Sequence, residues 1–360
     1  MTTASDSAPV RPDAPEPSRG LTEIADIVTP FAVRAAATLR LADHIAAGHT
    51  RLPDLAEVAG ADPQALARLL RFLTCRDIFA EPEPGTYALT ELAGELLSGH
   101  PANLRQWLDA DEVAGRLDTT FPYLVDAVRS GTPVHEKVHG APFWADLGAS
   151  PARTESFDRL MAQVSQSTRG IGTVYDWAGV RHVVDVGGGT GALLREILQA
   201  HPHLRGTVAD QAGSVAEARR YLAAHGLGDR ADAAVHDMFD HLPAADACLL
   251  SRVLADWDDE SAERILRTCA AAVPEGGRVL IAERVLPGEP APGTPDTAED
   301  LAETRRLTSH DLRMLVLLGG RKRSVADYAR LAGRAGLTLH TSHRLPGGAT
   351  VMEFRSGSTP

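Results

Sequence analysis

The second half of the chain alternates short apolar runs with stretches whose apolar residues recur at helical spacing. Such runs are typical of strands buried on both faces, and the amphipathic stretches are typical of the helices that connect them. The pattern predicts strands at 182–186, 205–209, 232–236, 246–251 and 278–284, and helices at 190–201, 213–226 and 259–273. This order predicts an α/β fold with a mainly parallel sheet covered on both sides.

After the last of these strands, the Pro/Gly/Ala-rich residues 287–298 predict an excursion loop. A helix is expected over Asp300–Leu318, ending at a Gly-Gly pair. Two further apolar runs, Leu337–His343 and Thr350–Phe354, flank a Pro-Gly-Gly turn. They predict a C-terminal antiparallel hairpin that closes the sheet.

The first third of the chain has a helical apolar stripe that includes Ile24, Ile27, Val28 and Phe31. Helices near 52–58 and 63–75, a hairpin within 78–90 and a helix over 91–97 follow, which is typical of a mostly helical winged-helix domain. The predicted divisions are a disordered tail at 1–20, the winged-helix domain at 21–105, a helical region at 106–180 and the α/β domain at 181–357.

The amino-acid composition argues against several classes of function. The net charge is −12, and the candidate recognition helix of the winged helix lies among many acidic residues. A nucleic-acid site needs several cations on one face, so a DNA-binding regulator is only the third hypothesis. Three cysteines without CxxC spacing predict neither a disulfide framework nor a metal site. Neither a membrane helix nor a signal pattern is recognisable, so we expect a cytoplasmic protein without membrane partners.

The candidate chemistry begins where the apolar run Val183–Val186 ends in the glycine-rich turn 187–191. Glycines allow positive φ and let a ligand approach the backbone, and the following helix presents free N–H groups. Asp210 ends the next predicted strand, at the interval of about 20 residues that is typical of a ribose-binding carboxylate. The alternative is a tight turn that binds nothing. A nucleotide-type ligand is the favoured interpretation.

The acid before the glycines, Asp185, indicates which ligand. A carboxylate there would repel a pyrophosphate but could accept hydrogen bonds from an ammonium group. The turn resembles the first motif of class I S-adenosylmethionine (SAM) methyltransferases, whose ligand carries an amino acid and no phosphate.

Several motifs together are similar to the small-molecule O-methyltransferases that have a winged-helix dimerisation domain. These motifs are Val183–Gly191, Val208–Asp210, His236–Phe239, Leu250–Trp257, Pro274–Gly277 and Leu312–Leu315. Phe143–Leu147, Ser156–Met161 and Asp311–Gly320 resemble the anthracycline branch of that family, which includes methyltransferases and a non-methylating hydroxylase. The resemblance implies a Rossmann-like SAM-binding domain, SAM as the cofactor, a homodimer, and a pocket to which residues 106–180 contribute.

At the methionine end of SAM, the resemblance implies that Gly187 and Gly189 pass under the ligand. Asp185 would accept hydrogen bonds, directly or through water, from its ammonium group. Arg153 would pair with its carboxylate, which a guanidinium fork matches well.

At the nucleoside end, the resemblance implies that Asp210 holds the ribose hydroxyls and Asp237 accepts from the adenine amino group. Met238 and Phe239 would lie against the adenine ring. Ser251 would bind a polar group of SAM. Turn capping by Asp237 and a local backbone bond by Ser251 are the alternatives.

For catalysis, many family members have a histidine base immediately before the Asp-Trp pair, where this chain has Ala255. The anthracycline branch also lacks that histidine. Asp256 is expected to bind the acceptor hydroxyl, with an N-cap as its alternative role. His310 is the best local substitute base, with a surface histidine as the alternative.

The substrate-binding residues implied by the resemblance are Met161, Asp256, Arg313 and Met314. The first functional hypothesis is O-methylation of a hydroxyl on an aromatic polyketide, such as an anthracycline-like hydroxyquinone. The second is a hydroxylase or decarboxylase of the same branch that binds SAM without methylating.

Overall fold

The computed structural model describes residues 20–288 and 297–356. Nearly all of the predicted tail 1–20 and most of the predicted loop 287–298 lie outside the described residues. The chain forms two compact units, Met1–Gly115 and Arg116–Pro360, which divide within a helix, Val113–Asp118. The boundary predicted from the sequence lies at residue 105.

The first unit is a helical domain with one small hairpin. Its elements are α1 (Leu21–Ile24), α2 (Val28–Thr38), α3 (Leu41–Ala46), α4 (Leu52–Val58), α5 (Pro63–Thr74), β1 (Phe79–Glu83), β2 (Thr86–Leu89), α6 (Glu91–Gly94), α7 (Leu104–Leu108) and, across the division, α8 (Val113–Asp118). The predicted order of helices and hairpin is confirmed. The predicted N-terminal helix is divided, because Asp26 accepts from the Val28 N–H at 2.8 Å and starts α2 anew.

The apolar stripe of α1 and α2 does not pack into this domain. Buried Ala32, Ala36 and Ala37 hold α2 against the core instead. The exposed side chains are Leu21 at 80%, Ile24 at 69%, Ile27 at 70%, Val28 at 53% and Phe31 at 61%. A contiguous apolar surface of this kind marks an interaction site.

The second unit starts with short helices, as predicted for 106–180. They are α9 (Leu124–Ser130), α10 (His135–His139), α11 (Phe143–Gly148), α12 (Pro151–Val164) and α13 (Ile171–Val174). The α/β part follows as β3 (His182–Val186), α14 (Ala192–Ala200), β4 (Arg205–Asp210), α15 (Ala212–Ala224), β5 (Ala231–Val235), β6 (Ala247–Ser251), α16 (Asp259–Ala272), β7 (Arg278–Glu283), α17 (Ala298–Leu317), α18 (Val325–Arg334), β8 (Leu337–Arg344) and β9 (Thr350–Ser356).

The sheet has seven strands in the order β5-β4-β3-β6-β7-β9-β8. The first five of these strands are parallel, and β9 pairs antiparallel with both β7 and β8. The predicted parallel sheet and closing hairpin are therefore confirmed. For β3 to β7, each predicted strand end lies within one residue of the end in the structure. Helix α18 was missed; it begins at Ser324, whose hydroxyl accepts from the Asp327 N–H at 3.1 Å in a capping box.

The parallel strands β3, β6 and β7 are buried almost throughout because their two faces enter two different cores. On β6, Ala247 and Leu249 pack with α14 and α15, whereas Cys248 and Leu250 pack with α16 and α18. Burial on both faces fixes the register of the strands, and so fixes which residues stand at their carboxyl ends.

We expect Gly206→Ala to destabilise the second unit. A Cβ at Gly206 in β4 would lie 2.5 Å from Leu194 Cδ1 of α14, so this fully buried side chain, or the helix that carries it, would have to shift. Overpacking of this kind costs about 1–3 kcal/mol. Denaturant unfolding measures it. The control is Gly213→Ala on α15, where nothing lies within 4 Å of the new Cβ; a loss of stability as large there would contradict the packing argument.

Candidate functional site

The glycine turn lies at the centre of the sheet's carboxyl edge, because β3 has β4 on one side and β6 on the other. Ligands of open parallel sheets bind at such a point, where the chain connections diverge. Gly187 has a φ of +68°, and a Cβ there would lie 2.9 Å from Val253 Cγ2. A Cβ at Gly188 would lie 2.5 Å from Asp185 Oδ2. The backbone therefore folds directly onto this carboxyl group, which only glycine permits.

Asp185 is a buried acid that has no hydrogen-bond partner in the described part of the chain. Its side chain is 1% exposed, and neither oxygen accepts a hydrogen bond from any described residue. Burial, and after it the charge of Asp210, raise the pKa of Asp185 to about 7. Because an unpartnered buried carboxyl group is costly, it is a candidate for meeting the donor of a ligand.

Asp210 lies beside the turn at the end of β4. Its Oδ2 accepts from the Gly189 N–H at 2.8 Å, and its Oδ1 accepts from the Gln211 N–H at 2.6 Å. Asp158 of α12 is not among the site residues predicted from the sequence. Burial, then the charges of Glu217 and Asp210, raise the pKa of Asp158 to about 6. Helix α12 thus brings a third acid to the same edge.

The segment after β5 brings Met238 to the turn: its Cε lies 3.7 Å from the position of a Cβ on Gly187. The Phe239 ring stands edge-on to Trp257, with 4.7 Å between ring centroids. Asp237 is exposed, and its Oδ1 accepts from the Phe239 N–H at 2.9 Å, so Asp237 does cap this turn. Oδ2 is then the oxygen left for its predicted contact with adenine.

Arg153, predicted to bind the ligand's carboxylate, already donates hydrogen bonds to another residue of the protein. Its Nη1 donates to Asp146 Oδ1 and, at 2.6 Å, to the Asp146 carbonyl. Asp146 also accepts from Arg116 Nε at 2.9 Å and Nη2 at 2.8 Å, which holds the pKa of Asp146 well below its usual range. The Arg153 side chain is 32% exposed. A ligand carboxylate would have to share this guanidinium with Asp146, which its five N–H donors allow.

Ser251 ends β6 half-buried, and Asp256 follows in a short 3₁₀ turn, Leu254–Asp256. The N-cap of α16 is Asp258, whose Oδ1 accepts from the Ser261 N–H at 2.7 Å. Asp256 is therefore not the helix cap that was its alternative role. It retains some accessible surface, as a group that meets a substrate requires.

Asp256 belongs to a cluster of charges that the sequence analysis did not identify. Burial, then the Glu283 carboxylate at the end of β7, raise the pKa of Asp256 to about 7, and the cations Lys322 and Arg252 oppose the rise. Arg252 follows β6 in a left-handed conformation, with a φ of +58°. Such a conformation is uncommon in a non-glycine residue. Glu283 had a recognisable signal, since it ends the apolar strand β7 as Asp210 ends β4.

His310 on α17 is not a surface histidine. It is mostly buried, and its Nδ1 has no hydrogen-bond partner among the described residues. Burial, then the charges of Lys322, Arg313 and Arg252, lower its pKa to about 3. Its imidazole is therefore neutral at physiological pH and a weak proton acceptor.

Besides Asp256, the predicted substrate-binding residues lie on α12 and α17. Arg313 Nη1 donates to Asp118 Oδ1 at 2.7 Å, and its guanidinium lies 5.1 Å from the Phe121 ring centroid. Met314 is 8% exposed and Met161 is half-buried. Their contacts with a substrate remain predictions.

Within residues 20–288 and 297–356, no three His, Cys, Asp or Glu side chains are grouped to hold a metal ion. Over the same described ranges, none of the helices is long and apolar enough to cross a bilayer.

We expect Asp185 to make the cofactor-free protein less stable as the pH rises. An acid whose folded pKa is raised from 3.8 to about 7 binds more protons folded than unfolded, so stability falls between about pH 4 and 7, by up to ~4 kcal/mol. Asp185→Asn cannot titrate, so its melting temperature should fall less between pH 5 and 8 than that of the wild type. Asp240→Asn, at an exposed acid, is the control. An equal fall in Asp185→Asn and wild type would contradict this account.

Comparison with known proteins identifies the family. The O-methyltransferase domain family model matches residues 121–338, and the O-methyltransferase dimerisation domain model matches residues 22–99. A curated relative, 2,7-dihydroxy-5-methyl-1-naphthoate 7-O-methyltransferase of Streptomyces carzinostaticus, is 44% identical, covering 90% of this chain and 94% of the relative. Aclacinomycin 10-hydroxylase of Streptomyces purpurascens is 41% identical, and the match covers 99% of this chain and 96% of that relative.

Among solved structures, an O-methyltransferase from neocarzinostatin biosynthesis, in complex with SAM and 2-hydroxy-5-methyl naphthoic acid, superposes with a TM-score of 0.85. It is 42% identical, and the match covers 94% of this chain and 99% of that one. The fold, the two matched domains and these identities agree with the resemblance seen in the sequence. The chain therefore belongs to the family of SAM-dependent O-methyltransferases.

Proposed function

We propose that this chain methylates a hydroxyl group of an aromatic polyketide, with a hydroxynaphthoate or hydroxyquinone as the substrate class. The observation that carries the proposal is Asp256, an acid with a pKa raised to about 7 that keeps accessible surface near the cofactor edge of the sheet. The naphthoate substrate named for a relative 44% identical supports this class.

The residues at the glycine turn fit SAM. Asp185 offers two buried oxygens without described partners, which suits an ammonium group. Asp210 is held against the turn by the Gly189 N–H, where it would hold the ribose hydroxyls. The acids Asp185, Asp158 and Asp210 together favour a ligand with positive charge. Arg153, shared with Asp146, would hold the carboxylate, and Met238, Phe239, Asp237 and Ser251 would hold the nucleoside.

When bound, SAM supplies an activated methyl group on a sulfonium that is a good leaving group. The protein must then align an acceptor oxygen and receive its proton. Asp256 is the proton acceptor we assign, because a base with a pKa near 7 is matched to neutral pH. His310, at a pKa of about 3, would accept the proton far less favourably and serves as a neutral hydrogen-bonding group.

A second candidate function is the non-methylating one. It is favoured by Ala255, which cannot act as a base, and by the 41% identity with aclacinomycin 10-hydroxylase over 99% of this chain. The products distinguish the two candidates by mass. A gain of one methyl group supports the first, and a gain of oxygen or a loss of carbon dioxide supports the second.

We expect the purified protein to methylate a member of a panel of hydroxynaphthoates and hydroxyquinones in the presence of SAM, as measured by mass spectrometry. The rate should fall as the pH drops below about 7, because Asp256 becomes protonated. Asp256→Asn should lose about 10²–10⁴-fold in kcat together with this pH limb. His310→Ala should cost less than that range. The assignment of the base fails if Asp256→Asn keeps both the rate and the limb.

We also propose a homodimer formed through the exposed stripe of α1 and α2. The match to a dimerisation domain and five exposed large apolar side chains support it. Light scattering should give twice the chain mass. Ile27→Glu with Phe31→Glu should yield monomers, because both side chains are more than half exposed in the single chain. The exposed Glu57→Gln of α4 is the control. A monomeric wild type would refute the proposal.

A further inference from the structure

Lys322 lies in an unusual place for a lysine. The chain has only two lysines, and the Lys322 side chain is 9% exposed, in the segment between α17 and α18. Its Nζ lies 3.7 Å from Glu283 Oε2, and the Glu283 side chain is 1% exposed. Neither Glu283 oxygen has a well-aligned hydrogen-bond donor in the described part of the chain. The Ala255 backbone N–H and the charges of Arg252 and Arg323 also act on this carboxylate, so the buried ion pair belongs to the charge cluster around the Asp256 turn.

The segment around Lys322 is packed against the turn that carries Asp256. A Cβ on Gly320 would collide with the Ala255 carbonyl oxygen and would lie 2.5 Å from the Asp256 carbonyl carbon. Arg323 is fully buried and donates to the carbonyls of Leu254 at 2.7 Å and Trp257 at 2.9 Å. Lys322 thus stands between two residues that fix the Asp256 turn, so its distance from that turn is set by the backbone.

The charged and titratable groups around Asp256 come from every element packed there. They are Arg252 after β6, Glu283 at the end of β7, His310 and Arg313 on α17, Lys322 and Arg323 before α18, and Tyr328 on α18. Two carboxyl groups that share a low-dielectric site cannot both ionise readily unless cations offset them. With Glu283 alone beside it, Asp256 would retain its proton and could not accept another.

We propose that Lys322 is a positioning residue of the methyl-transfer reaction: paired with Glu283 and packed against the Asp256 turn, its ammonium offsets the Glu283 charge and keeps the Asp256 carboxylate ready to receive the proton of the acceptor hydroxyl. This rests on the proposed function, in which Asp256 is the base. Lys322 touches neither the acceptor nor the methyl group; it acts through the charges of the two acids.

Substitutions that remove one charge of the pair test the proposal, because removing the cation and removing the anion should shift the pH profile in opposite directions. Lys322→Met should move the acidic limb of the kcat/KM profile to higher pH by about one unit, the size expected for removing a charge a few ångström away. Glu283→Gln should move it to lower pH. The double variant should return it close to the wild-type position, and Lys322→Arg should leave it there. A merely structural lysine would lower the rate without this pattern.

The matched control is Arg321→Gln, which removes a cation from the adjacent position, where the side chain is 49% exposed. It should leave the limb unmoved. A limb displaced equally in Arg321→Gln and Lys322→Met would overturn the proposal, because the effect would then reflect net charge.

A direct titration separates failure of this proposal from failure of the proposed function. In cofactor-free protein labelled with ¹³C at aspartate carboxyls, the Asp256 signal is identified by its loss in Asp256→Asn. Its midpoint should rise in Lys322→Met and fall in Glu283→Gln, whether or not any substrate is methylated. A midpoint that is the same in folded Lys322→Met and wild type refutes the role of Lys322. Absence of methyl transfer with normal midpoint shifts refutes only the proposed function.

Discussion

The site depends on carboxyl groups that the sheet removes from water. Asp210 and Glu283 end the parallel strands β4 and β7, Asp185 is the last residue but one of β3, and Asp256 follows β6 in a short turn. Parallel strands place all their carboxyl ends at one edge, so these acids meet in a region of low dielectric. Each acid raises the cost of ionising its neighbours, and the site can hold charged carboxylates only where a cation offsets them.

The acids around the glycine turn and the acids around Asp256 differ in where the offsetting positive charge comes from. Around Asp185 and Asp158, the charged groups that shift the pKa values are other acids. A cationic ligand is therefore what completes that half, in agreement with SAM as the cofactor. Around Asp256, the protein itself supplies Lys322 and Arg252. That half can hold an ionised base before any ligand arrives.

Close backbone packing keeps these groups in place. The turn folds onto Asp185 at Gly188, and the segment before α18 folds onto the Asp256 turn at Gly320. The fully buried Arg323 then joins that turn to the start of α16 by donating to Asp259 Oδ1 at 2.7 Å. In the proposed reaction, preorganisation of this kind would align the acceptor where Ala255 stands in place of a histidine base.

Hydrophobic periodicity alone determined the order of the strands and helices, since strands buried on two faces and helices buried on one leave distinct repeats. The glycine turn and Asp210 were recognisable because their positions are local to strand ends. The break in the N-terminal helix at Asp26 and the start of helix α18 were not recognisable in the sequence, because hydrogen bonds from backbone N–H groups to capping side chains determine both.

Only the tertiary structure decided the electrostatics. Burial, and after it the charge of Lys322, twelve residues away in sequence, lowers the pKa of His310. Burial, and after it the charge of Glu283, 27 residues away, raises the pKa of Asp256 to about 7. Arg153 was likewise found shared with Asp146. Burial and long-range charge depend on which elements pack together, and a linear pattern of residues does not contain those distances.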